Sequence, residues 1–139
     1  KARGYSRQLS LAMITVDHMG TQRSRRSRQN GDLIFVHVAR TLRRNVRDTD
    51  FIARFSRDEF AVILPEAVNE AAIKAAERVR RAVERTPFVI KGSARKKVTI
   101  SLGVVTYPSS AENLEALLQQ ARKALDRARN LGRNQVASL

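Results

Sequence analysis

"ARFSRDEFAVILP", residues 53–65, sets two acids and an aromatic between two runs built like short strands. Alternating apolar residues lead into Ser56-Arg57-Asp58-Glu59-Phe60, and the solid apolar run Ala61-Val62-Ile63-Leu64 leads out. Such a pattern reads as strand, tight turn, strand. Yet the turn holds no Gly, Asn or Pro, the residues that make tight hairpin turns easy. The acids have stayed where the turn chemistry has gone, so the purpose of this hairpin has to be sought in its surroundings.

On the N-terminal side, "LSLAMITVD" (residues 9–17) is apolar enough for a buried strand. The stretch "HMGTQRSRRSRQNG" that follows is polar and arginine-loaded, with no clear period. From Asp32, "DLIFVHVARTLRRNVR" repeats apolar residues at helical spacing, and its last turns are crowded with arginine, which suits the helix dipole. On the C-terminal side, residues 67–86 form the clearest helix, with Val68, Ala72, Ala75, Ala76, Val79 and Val83 marking its apolar face. "PFVIKGSARKKVTISLGVVTYP" reads as a strand, a Gly-Ser turn and a longer strand. A second amphipathic helix covers 112–130 and stops at Leu131-Gly132, and "NQVASL" ends the chain as a short strand. Strands and helices mixed in this order over one sheet give an α/β or α+β fold.

A chain of 139 residues, 42% hydrophobic, is long enough for one domain with a real core. No segment approaches the roughly 20 apolar residues of a membrane helix. With no cysteine, disulfides and thiolate zinc sites are excluded. The sequence begins at Lys1 and carries no signal-peptide pattern, which reads as a single domain, residues 1–139, cut from a longer protein, with cytoplasm as the expected compartment. The 27 Lys and Arg against 13 Asp and Glu leave a formal charge of +14, an excess that favours polyanions.

At the hairpin the chain resembles the GGDEF family of diguanylate cyclases, bacterial enzymes that join two GTP molecules into cyclic di-GMP. The signature Gly-Gly-Asp-Glu-Phe stands here as Ser56-Arg57-Asp58-Glu59-Phe60. Around it, in order, "LSLAMITVDHM" looks like the family's first strand and "NGDLIFVHVARTL" like its Gly-Asp helix start. "VTISLGVVTYP" is similar to its Val-Thr-Ile-Ser-Ile-Gly-Val strand, and "ALDRARNLGRNQV" to its Ala-Leu-Tyr-x-Ala-Lys-x-x-Gly-Arg-Asn-x-Val. The resemblance implies a palm-like fold, a central five-stranded, mostly antiparallel sheet flanked by helices, in which two facing domains each hold one GTP.

It also implies a damaged catalytic site. Two cations held between carboxylates are needed to clamp a triphosphate and activate the attacking hydroxyl. Asp58 keeps the signature's metal ligand, as a weak remnant, and Glu59 stands at the next important acid. The first-strand ligand falls on Thr15, while Asp17 matches an aspartate that points elsewhere on a strand of period two. The missing glycines remove positive-φ freedom, and a non-glycine residue forced left-handed costs about 1–2 kcal/mol. Arg57 then either blocks the phosphates or grips them. The guanine-reading Asn-Asp pair falls on Arg23 and Ser24. Asp32 matches a second guanine contact, its alternative being an ordinary acid at a helix N-terminus. Arg129 stands at a phosphate-contacting lysine and Arg133 at its partner arginine. The expectation is no cyclase activity, with Asp32, Arg57, Arg129 and Arg133 as nucleotide-binding remnants. No cofactor is required, and Mg²⁺ would enter only if GTP binding or turnover survives.

A product site, by contrast, is in register. The family's inhibitory motif Arg-x-x-Asp ends five residues before the signature, as Arg47-Asp48-Thr49-Asp50 does before Ser56, and the following helix supplies an arginine at Arg78. A guanidinium donates twin hydrogen bonds to guanine O6 and N7, and a carboxylate accepts from N1–H and N2–H. Arg47, Asp50 and Arg78 therefore mark a cyclic di-GMP site, and the chain reads as a receptor in second-messenger signalling. Two alternatives stand beside this: a residual diguanylate cyclase, and a ligand-free module for dimerisation or protein docking. The expected partners are cyclic di-GMP, then GTP, a second copy of the domain and the parent's other domains. No sequence-specific nucleic acid and no membrane insertion are expected, since no aromatic interleaves with the arginines of "RSRRSRQ", residues 23–29. His18 and His37 have no spaced partner and read as ordinary histidines.

Overall fold

A computed structural model describes residues 8–17, 25–89 and 95–139, with side chains in the first helix from Gly31 onward. His18, Arg23, Ser24 and the Gly92-Ser93 turn lie outside the described residues. In chain order the elements are β1 (Leu9–Val16), α1 (Arg25–Asn45), β2 (Phe51–Ser56), β3 (Glu59–Pro65), α2 (Asn69–Glu84), β4 (Phe88–Val89), β5 (Arg95–Lys96), β6 (Ile100–Tyr107), α3 (Leu114–Asn130) and β7 (Val136–Ser138).

The central sheet has five strands in the order β2-β3-β1-β6-β7. All its pairings are antiparallel except β6 with β7. β1 is buried along nearly its whole length because it lies between β3 and β6 and is covered on both faces. Its alternate residues divide between two cores, as a pleat of period two requires. Ala12, Ile14 and Val16 join Phe60, Val62, Leu102 and Val104 under α1 and α2. Leu11 and Met13 join Ala61 and Val105 under α3. The result is a sandwich of two helices, a sheet and one helix.

Two expectations are corrected. α1 begins at Arg25, not Asp32, and has no acid in its first turn, so Asp32 is no N-terminal acid but an exposed residue well inside the helix. Arginine is a good helix former, but with no apolar stripe in "RRSRQN" periodicity gave no sign of helix. The run read as one longer strand is split: Arg95 and Lys96 pair with Val89 and Phe88 in a separate two-stranded sheet, and β6 begins anew at Ile100. His37 takes the ordinary role expected of it. Its Nε2 lies 2.8 Å from the Thr86 carbonyl and its ring tilts against Phe88, tying α1 to the end of α2.

Candidate nucleotide site and the cations that fill it

The turn of the hairpin is Arg57-Asp58, and Ser56 pairs with Glu59 across a register shift that follows Arg54. That irregularity lets the chain reverse without glycine. The strain expected from the lost glycines is absent: among the described residues, positive φ at non-glycine positions occurs only at Glu66, Arg133 and Asn134. Side chains do the work instead. Arg54 donates to the carbonyls of Ser56 (3.2 Å) and Arg57 (3.0 Å). Its guanidinium lies 4.1 Å from the centre of the Phe35 ring, and Phe35 stacks on Phe60 at 4.0 Å and 7°. Arg54 and Phe60 are cross-strand partners, so this three-layer stack fastens the turn to α1.

The turn sits against the end of β1, where the Val16 amide donates to the Asp58 carbonyl at 3.0 Å. Thr15, Asp58 and Glu59 therefore do come together, as expected. What faces them is cationic. Arg122 donates to both carboxylate oxygens of Glu59, at 2.8 and 3.3 Å, and the Ser56 hydroxyl donates to one at 2.9 Å. Arg129 donates to the Thr15 hydroxyl at 3.1 Å and lies 3.7 Å from Glu59. A guanidinium thus reaches both the first-strand position and the signature glutamate. Arg57 is exposed at the tip of the turn. Arg133 lies 3.7 Å from Asp17, at the far end of the same edge.

Arg122 had no motif to announce it. The only available signal was its spacing: it precedes Arg129 by seven residues, two turns up the same face of α3. The expectation that Asp17 points elsewhere is corrected: residues two apart share a face of a strand, and Thr15 pairs across the sheet with Ser101, whose hydroxyl donates to Asp17. Fully buried, it accepts from the hydroxyls of Thr99 (2.8 Å) and Ser101 (2.7 Å) and from the Asn134 amide (3.0 Å).

Burial pushes the Glu59 carboxyl up, but the hydrogen bonds from Arg122 and Ser56 and the charges of Arg122 and Arg129 outweigh it and hold it below its ordinary value. Glu77 is lowered chiefly by its hydrogen bond from Arg80, and Glu84 chiefly by that from Asn134. Each of the three binds a proton more weakly folded than unfolded. Their stabilisation is complete above the ordinary glutamate range, about 4.3, and drains as pH falls through the lowered folded values. Urea midpoints should therefore fall on acidification below that range. Arg122→Ala should shrink the fall, and an equally steep acid limb in that variant would refute the Glu59 share.

At the second candidate site the pairing is tight. Asp50 is buried, with its side chain 1% exposed, and accepts from the Arg47 amide (2.9 Å), Nε (3.2 Å) and Nη2 (3.0 Å). Arg47 also donates to the Pro65 carbonyl, while its side chain remains 55% exposed. Arg78 reaches the same segment, donating twice to the Asn45 carbonyl at 3.2 and 3.1 Å. The structure thus brings Arg47, Asp50 and Arg78 to the end of α1, but in unequal roles. Asp50, expected to accept from guanine directly, has its oxygens turned inward on Arg47. Asp32 is on the exposed side of α1, and no contact links it to the arginines of α3 among the described residues.

The sheet order and the acidic hairpin beside the end of β1 define a palm domain of the GGDEF type. The chain belongs to that family: the family model described as "Diguanylate cyclase, GGDEF domain" matches residues 1–135. It is 33% identical over 128 residues to diguanylate cyclase A of Treponema denticola, covering 92% of this chain and 34% of that protein. It is 35% identical to diguanylate cyclase DgcP of Pseudomonas aeruginosa over 92% of this chain and 19% of that protein. The chain therefore spans about a third or less of the length of these relatives. Among solved structures, the GGDEF domain of YfiN (TpbB) from Pseudomonas aeruginosa superposes with a TM-score of 0.89 at 27% identity, covering 99% of this chain and 85% of that one. No helix among the described residues is long and apolar enough to cross a membrane.

Proposed function

We propose that this domain no longer makes cyclic di-GMP and instead binds it, with Arg47 as the residue that reads guanine. The observation that carries the reading is the Arg47–Asp50 pair. A buried carboxylate grips one edge of a guanidinium whose remainder faces solvent, so the group is held in place before any ligand arrives. Asp50 is then a positioning residue. Arg78, fixed to the adjoining turn by its bonds to Asn45, supplies a second cation at the same end of α1.

Loss of catalysis follows from the donor set at the other site. Hard divalent cations need anionic oxygens, and here Thr15 offers a neutral hydroxyl while Glu59 is committed to Arg122 and Ser56. The residues present do not suit a pair of magnesium ions. Arg129 and Arg133, expected to meet phosphate, are turned toward Glu59, Thr15 and Asp17. On this reading the domain needs no metal.

Calorimetric titration of cyclic di-GMP into the wild type, Arg47→Ala and Arg78→Ala tests the proposal. Loss of a bidentate arginine contact should cost about 1–3 kcal/mol, roughly tenfold to a hundredfold in affinity. Undiminished binding in both variants, or no binding by the wild type, overturns the receptor reading and leaves a docking module. Cyclic di-GMP made from GTP with Mg²⁺ or Mn²⁺ would overturn the loss of catalysis.

A further inference from the structure

α2 carries a row of cations of which the proposed cyclic di-GMP site uses only Arg78. Lys74, Arg78, Arg81 and Arg85 follow one another at intervals of four, three and four residues, the spacing that keeps side chains on one face of a helix. All four are exposed and line an open groove of about 520 Å³, closed on one side by Asn45 at the end of α1. The groove holds one acid, Glu77, which is occupied by Arg80 at 2.7 Å and Arg81 at 3.5 Å. Among the described residues, no carboxylate pairs with Arg78 or Arg85. Arg78 is held in the groove wall by its two bonds to Asn45, so one cation of the row is already fixed.

We infer that this groove is a docking surface for the phosphate backbone of single-stranded nucleic acid, read without regard to sequence. Two features select that ligand. At 1.5 Å of rise per residue the row is about 16 Å long, more than the two phosphates of one cyclic dinucleotide can occupy. The surface is concave, which suits a chain lying along it, whereas a bilayer, flat on this scale, would meet only the rims. The surface also gives a use to part of the +14 charge, which a dinucleotide pocket does not need.

Fluorescence anisotropy with a labelled oligothymidine over a range of salt tests the inference. The probe is used with the wild type, with Lys74→Gln/Arg81→Gln/Arg85→Gln, and with Arg95→Gln/Lys123→Gln/Arg127→Gln, which removes equal charge from other exposed positions. Each phosphate neutralised on a single strand contributes about −0.7 to the slope of log K against log salt. The α2 variant should therefore lose about 2 from the slope and more than tenfold in affinity at low salt. The control should stay close to wild type. Because Arg47 and Arg78 are untouched, the α2 variant should still bind cyclic di-GMP if the receptor reading is right, so the two proposals fail separately. Equal losses in both variants, no binding at low salt, or binding to phosphatidylserine vesicles without binding to the oligonucleotide would each overturn it.

Discussion

Gly103→Ala should unfold the domain or come close to it. Gly103 lies in β6 where α3 crosses the sheet. A Cβ built on it would collide with the Leu125 amide and lie 2.7 Å from both the Ala121 carbonyl oxygen and the Ala124 carbonyl carbon. All three are backbone atoms of one helix, so no side-chain rotation relieves the clash. α3 would have to lift away from Leu11, Met13 and Val105, which with Leu117, Ala121, Ala124 and Leu125 form the core on that face. Overpacking a core costs about 1–3 kcal/mol and occasionally more, and with no flexible atom able to give way the cost here should be about 3 kcal/mol or above. That is a large part of the stability of a domain this size. Urea denaturation of the variant is the measurement. A loss below about 1 kcal/mol would mean that α3 stands farther from β6 than described.

The second large effect is expected at Asp17. The turn after α3 runs through Gly132 (φ 118°), Arg133 (φ 65°) and Asn134 (φ 49°), of which Arg133 is the residue that disfavours this region. Strain of that kind persists only where the surroundings impose it. Asp17 supplies the restraint by accepting from the Asn134 amide while anchored to Thr99 and Ser101. In Asp17→Ala the hydroxyls of Thr99 and Ser101 would face a void, each costing about 1–3 kcal/mol if it stays unsatisfied, while the Asn134 amide keeps only the Ser101 hydroxyl at 3.1 Å. Because rearrangement recovers part of this, the expected net loss is about 3 kcal/mol. Asp17→Asn keeps one acceptor oxygen and should recover a good part of it. Equal stability of Asp17→Ala and wild type would remove Asp17 from this role. Asp17 also faces Arg133 at 3.7 Å, so the alanine variant frees a cation as it loosens the turn.

Both residues show how a motif can be legible while its reason is not. Gly103 was visible as the glycine of "VTISLGVVTYP", but only the crossing of α3 over β6 explains why a side chain is excluded. Asp17 was legible only as the match to the family's second aspartate, and alternation along β1 puts it on the face of Thr15. Its partners come from residues 99, 101 and 134, far along the chain, and no pattern joins them. The hairpin is the clearest case. Its strands follow from local alternation and its acids from position, yet the means of turning without glycine is a stack of Arg54, Phe35 and Phe60 drawn from two distant segments.

The sequence by itself determined which segments become strands and helices where one face is apolar, because burial imposes its period directly on the residues. It also determined the family, because four motifs lie in fixed order, and it set Arg47, Asp50 and Arg78 as candidates. It did not determine the first turns of α1, where arginines form a helix with no apolar stripe to mark it. Only the tertiary structure decided how charge is distributed among partners. Arg122 and Arg129 meet Glu59 because α3 packs beside the hairpin, and Asp50 turns inward because the end of α1 closes over it. Ion pairs and hydrogen bonds act over a few ångströms between residues far apart in the chain, so their pairing is settled by packing and leaves no period in the sequence.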